Sequence, residues 1–232
     1  MALAPGDTNE AFIREVDENL RRSQAEDFAK RYGKWLIAGA LLFLVAVGAF
    51  LYWRNQQAQQ AQLHSEQLAA ILTDIGQQRT GDVPQRLATL AEEGNGSFRA
   101  SALLTRAALA LQNGDRKAAI SDYATVAGDE DVPPAYRDLA LVRQTQLEFD
   151  SLKPEDVIAR LQTLSTPESA WYGTAGELTA MAMLKQNRRA EAGRLFAAIG
   201  ADASVPEPLR RRVAQIAGTL GVDATANAPA AR

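Results

Sequence analysis

The chain contains no cysteine and a single histidine, His64. The first absence excludes disulfides, thiolate metal sites and cysteine nucleophiles, and it suits an oxidising compartment without identifying one. The second excludes a histidine-rich metal site and leaves no triad base with partners, so His64 reads as a solvated residue on a helix surface. Aromatics are only 6% of the 232 residues, and alanine is plentiful, which favours closely packed helices over a sheet. Charge is almost balanced, with 25 Lys and Arg against 28 Asp and Glu. A chain of that kind has no global attraction for a polyanion, and nucleic acid is not expected as a partner.

Motifs of chemistry are scarce as well. There is no G-x-S-x-G, no P-loop and no G-x-G-x-x-G, and Gly94-Asn95-Gly96 reads as a turn. Asp129-Glu130-Asp131 offers too few ligands, wrongly spaced, for a calcium loop. Arg210-Arg211-Arg212 reads as a solvated face, with an acidic partner or a lipid headgroup as the alternative. No catalytic, cofactor-binding or metal-binding residue is expected, and no cofactor. An enzyme would need a deep polar pocket with perturbed carboxylates.

What the chain does have is an uninterrupted apolar run. From Trp35 to Trp53, WLIAGALLFLVAVGAFLYW is 19 residues without a charge. As a helix it covers about 28 Å, close to the hydrocarbon core of a bilayer. Tyr32 and Trp35 at one end, with Tyr52 and Trp53 at the other, are placed as interfacial belts. Arg21, Arg22, Lys30, Arg31 and Lys34 precede the run, whereas only Arg54 follows closely. The positive-inside rule therefore predicts residues 1–34 in the cytoplasm, a span at 35–53, and the rest across the membrane. The long leading segment and the lack of an A-x-A site point to an uncleaved anchor.

Residues 7–34 read as a helix that opens with a capping box, Asp7 and Glu10, and carries an apolar stripe through Phe12, Val16 and Leu20. It suits either a helix lying on the lipid surface or a docking helix for a cytoplasmic partner. After the span, residues 54–66 form a Gln-rich stalk that continues into an amphipathic helix through Leu68, Ile71, Leu72 and Ile75. Gly81, Asp82 and Pro84 end that helix and start another through Leu87 and Leu90.

Residues 67–221 form a helical repeat. Two helices flank Asn113-Gly114-Asp115, with Ala107 on the first, Ala119, Tyr123 and Val126 on the second, and Pro133 at the close. These are small and large residues where a tetratricopeptide unit has them. Seventy-three residues later the same pattern returns as Ala180, Ala192, Phe196, Ile199 and Pro206. Between them, 135–167 make a degenerate unit, with a first helix from Tyr136 to Phe149 and a second through Val157, Leu161 and Leu164; it has Thr145 where alanine is expected. A helix from Pro208 to Leu220 caps the array, and the Ala-rich tail 222–232 has the composition of a disordered segment. The expected fold is all-α: one transmembrane helix followed by a short tetratricopeptide-like α-solenoid.

With the FIREVDENLRR segment, the KRYGKWLIAGALL entry into the anchor, the Gln-rich stalk and the degenerate repeats in that order, the chain resembles the YfgM-like proteins. The resemblance runs from Asn9 to about Leu220. It implies a bitopic inner-membrane protein ancillary to the SecYEG translocon. Its implied partners are the translocon and a membrane-anchored peptidyl-prolyl isomerase-like chaperone, besides the bilayer and unfolded clients. The alternative is an envelope scaffold coordinating cell-wall or division machinery, since a fold does not choose its function. In tetratricopeptide arrays the first helices line the concave face. Register from Ala107, Thr145 and Ala180 puts Leu104, Ala108, Leu111, Val142, Gln146, Glu177, Met181 and Leu184 on that lining. Mostly apolar, it suits an apolar or amphipathic segment.

Overall fold

The computed structural model describes residues 7–222, with side chains from residue 31 onward other than 33, 36 and 40. The side chains of the Asp7 capping box and of the Phe12–Leu20 stripe, and the whole tail from 223, therefore lie outside what is described. Among the described residues the structure is all-helical. In chain order the helices are α1 (Asp7–Gly76), α2 (Val83–Glu93), α3 (Gly96–Gln112), α4 (Arg116–Gly128), α5 (Pro134–Glu148), α6 (Pro154–Leu161), α7 (Tyr172–Lys185), α8 (Arg189–Ala201) and α9 (Glu207–Thr219). They fall into two compact units, Met1–Gln62 and Leu63–Arg232.

The first unit consists of the greater part of α1. This helix includes a stretch long and apolar enough to cross a membrane, with mean hydropathy 1.9. Its large apolar side chains are uncovered, from Val47 at 37% exposed to Tyr52 at 73%.

The second unit is built from the end of α1 through α9; from α2 onward each helix packs on the next, and Ile71 of α1 shares a core with Val83 and Leu87 of α2. Its interior follows one spacing. Four residues on first helices, Ile71, Ala107, Thr145 and Thr145's counterpart Ala180, are each followed twelve positions later by a buried residue on the second helix: Val83, Ala119, Val157 and Ala192. None of these eight is more than 1% exposed. Four residues further on come Leu87, Tyr123, Leu161 and Phe196, and three beyond those Leu90, Val126, Leu164 and Ile199, all buried. The four helical hairpins thus share one register. The two clear copies and the degenerate unit read from the sequence are the hairpins of α3 and α4, α7 and α8, and α5 and α6, and that of α1 and α2 shares their register.

Thr145 fits an alanine position because its hydroxyl donates to the Leu141 carbonyl at 2.7 Å, so no buried donor is orphaned. Small residues also set how closely neighbours approach. Ala102, Ala140 and Ala175, at equivalent places on α3, α5 and α7, are all fully buried. At Gly96 a Cβ would stand 2.0 Å from the Asp131 carbonyl oxygen, so only glycine admits the α4–α5 connection there. The Gly94-Asn95-Gly96 turn has a second role, since the Asn95 side chain caps α3 by accepting from Ser97 and Phe98 amides at 3.2 and 3.3 Å.

Two expectations are corrected. The second helix of the degenerate unit stops at Leu161 instead of running through Leu164. Residues 162–171 continue as turns, because the residue preceding Pro167 is disfavoured from helical geometry and the serines and threonines nearby bond locally. Leu164 nevertheless stays buried, in the phase of the lost helix. His64 is half-buried rather than solvated, and its ring meets Phe98 edge-on at 5.5 Å, bringing the end of α1 against α3.

Candidate interaction surface

The first helices keep one row of positions open. Immediately after the buried position of each hairpin come Leu72, Ala108, Gln146 and Met181, and all four are exposed. Four positions after the buried one come Ile75, Leu111, Phe149 and Leu184, apolar in every unit. Leu111 is exposed and the other three are half-buried. Four large apolar side chains are exposed among the described residues of the second unit, and Leu72, Leu111 and Met181 are three of them. Leu63 is the fourth.

The expected lining is therefore placed only in part on this face. Ala108, Leu111, Gln146 and Met181 are open to solvent, and Leu104 and Leu184 are half-buried, packed against the cores beneath them. Val142 is a correction: at 1% exposed it lies in a core with Val157, Leu161 and Leu178, and it lines nothing. The position three before the buried one turns into the helix–helix contact, which in α5 is made with α6 and α7. Glu177 occupies the same register position and is held by Arg212 Nη2 at 2.6 Å and Nε at 2.8 Å. Leu72 was missed because its spacing from Leu68 and Ile75 makes it look like one more core residue. Alignment of Ile71 with Ala107 is the signal that sets it outside.

Charged groups around the face are largely matched to each other. Lys185 lies 4.2 Å from the Phe149 ring centre and 3.1 Å from Asp150, joining α7 to the end of α5. Of the three consecutive arginines, Arg212 binds Glu177 and Arg211 stands 3.7 Å from Glu207 on its own helix. Asp129 accepts from Arg99 Nη1 at 2.8 Å and from the Asp131 amide at 2.9 Å. Both contacts, the arginine first, hold its carboxyl below the usual range.

Opposite the open row, a cavity of about 450 Å³ lies among Pro84 of α2, α3 and α4. Its acids are already engaged. Asp122 takes both Nε and Nη2 of Arg106, at 2.8 and 2.6 Å, and Asp115 caps α4 through the Ala118 amide at 2.9 Å. The doubly bonded Asp122 raises the arginine's pKa further, and the pair ties α3 to α4. A second cavity of similar size lies by the 162–171 connection.

The geometry as a whole is that of a helical-repeat domain with a partly apolar open row on its first helices. Comparison with known proteins agrees at the level of fold. The model of a family described as a tetratricopeptide repeat-like domain matches residues 26–214. Neither the search of curated proteins nor that of solved structures returned a match.

Proposed function

Because the chain belongs to the family of tetratricopeptide repeat-like domains, a helical-repeat module for protein interaction, we propose that it is a non-enzymatic, membrane-anchored adaptor. Its anchor is the apolar stretch of α1, set in a bacterial inner membrane with residues 1–34 cytoplasmic and the repeat domain periplasmic. The domain works beside the SecYEG translocon, holding an apolar or amphipathic segment of a membrane-anchored chaperone or of an emerging client. The basic flank before Trp35 supports the orientation, and the resemblance to the YfgM-like proteins supports the translocon.

The observation that carries the binding function is the set of exposed apolar side chains on the first helices, Leu72 and Met181 just after the buried position of α1 and α7 and Leu111 one turn after that of α3. Large apolar side chains left solvated on several first helices of one array have no packing reason, whereas an apolar groove along a solenoid receives a helix or extended segment readily. Met181 adds adaptability.

The test replaces Leu72, Leu111 and Met181 together by Ser in the full chain and recovers it from gently solubilised membranes. Translocon subunits should copurify with the parent and be lost from the variant while its helical signal and melting stay unchanged. Undiminished capture by the folded variant would place the binding surface elsewhere. Capture of wall synthases instead of translocon subunits would refute the secretory assignment.

A further inference from the structure

The unit formed by α5 and α6 departs from its neighbours in one respect. Helices α4 and α8 run 13 residues each and lead into short connections, whereas α6 runs 8 and leaves 162–171 to reach α7 as turns. Between this segment and the start of α5 is a cavity of about 450 Å³. Asp138 and Glu168 line it, together with Trp171 and the hydroxyl-bearing Thr163, Thr166 and Ser169.

Four helix carboxylates elsewhere in the domain are paired with arginine, Asp122 with Arg106, Glu148 with Arg160, Glu177 with Arg212 and Glu191 with Arg188. Among the described residues Asp138 and Glu168 enter no ion pair. The wall is nonetheless fixed. Ser165 Oγ donates to the Leu161 carbonyl and lies 2.8 Å from Thr179 Oγ1 on α7, and the Trp171 amide donates to Ser169 Oγ at 3.1 Å. Leu164 beneath is 6% exposed. Two unmatched acids, an indole face and acceptor hydroxyls on a preformed wall describe a receptor for a cation with an apolar stem.

We propose that this pocket receives the side chain of an arginine or lysine from a partner polypeptide. The carboxylates supply charge complementarity, the indole a π-face for the cation, and the hydroxyls acceptors for its remaining N–H groups. A guanidinium suits the site best, being planar and more weakly hydrated than an ammonium. A bare metal ion suits it poorly, for no group of three or more potential ligands is assembled among the described residues.

The proposal rests on the domain being a partner-binding module, but on residues apart from the apolar row, so either can fail alone. The test uses the full chain in a neutral detergent and a fluorescein-labelled acetyl-Gly-Arg-Gly-Arg-Gly amide, with its citrulline counterpart as the uncharged isostere. Fluorescence anisotropy should show the arginine peptide binding roughly tenfold tighter, with affinity falling as salt rises. The pair Asp138→Asn and Glu168→Gln should remove most of that preference. Ala170→Lys should do so as well, since it puts a cation at the exposed rim and leaves both acids in place. Circular dichroism checks that each variant is folded. Equal binding of the two peptides, or an arginine preference intact in both folded variants, overturns the proposal. Displacement of the peptide by equimolar calcium or magnesium overturns it in favour of a metal site.

Discussion

Gly114 and Asn187, seventy-three residues apart, close their helices in the same way, each with positive φ, 81° and 61°. The residue after each returns a hydrogen bond from its amide into the helix, Asp115 to the Ala110 carbonyl at 2.8 Å and Arg188 to the Met183 carbonyl at 2.9 Å. Glycine adopts that conformation freely, while asparagine does so at some cost. Asn187→Gly should therefore leave stability equal or slightly higher, and Gly114→Ala should cost about 1–2 kcal/mol. Chemical denaturation of the two variants in detergent reads both.

Overpacking tests the shared register. Ala119 and Ala192 are fully buried on α4 and α8. Replacing either with Leu should cost about 1–3 kcal/mol, since neither hairpin has space for three further carbons. An unchanged denaturation midpoint for both would place those residues outside the hairpin contact.

Val142 and Gln146 lie one turn apart on α5 and should behave oppositely. Val142→Ser leaves a hydroxyl and a small cavity in the core, and should cost about 1–3 kcal/mol. Gln146→Ser, on the open row, should change stability by no more than about 0.5 kcal/mol. Thermal unfolding followed by circular dichroism separates the two.

The Arg99–Asp129 pair should give the domain an acid-sensitive component. The folded-state pKa of Asp129 is depressed, so its contribution is present above the unfolded carboxylate value of about 3.9 and is lost as pH falls through the folded value. Asp129→Asn should lower the melting temperature at pH 7, with the gap to the parent closing below about pH 4. A gap that persists at pH 2.5 would mean the carboxylate's charge is not what matters.

Orientation is checked in spheroplasts. Added protease should remove the repeat domain and spare an N-terminal fragment containing residues 1–34 and the span. Full protection of the large domain would reverse the topology.

The repeat was legible in the sequence wherever small and large residues kept their places. Ala107, Ala119 and Tyr123, with Ala180, Ala192 and Phe196, announced two hairpins, and all six are buried. The hairpin of α1 and α2 was harder to align because Ile71 and Val83 stand where the others have alanine or threonine and valine or alanine. Burial tolerates either class, but a pattern of small residues does not reveal it. The early end of α6 was hidden because Leu164 keeps the helical phase after the helix has stopped. The surface was legible only in part, for period alone does not say which flank of a stripe a neighbour covers. Val142 and Leu72 were exchanged in that way, one lost to the core and the other gained by the surface.

The irregular stretch at 162–171 has a consequence for addressing. A strictly periodic solenoid presents equivalent faces one unit apart, and a partner held by them alone is free to sit one step up or down. Here the translational symmetry is broken most strongly between the third and fourth hairpins, where turns replace the last part of a helix. A ligand that touches both the repeating row and this one unlike place has a single alignment in which both contacts are made. The array thereby acquires an origin from which position along it is counted.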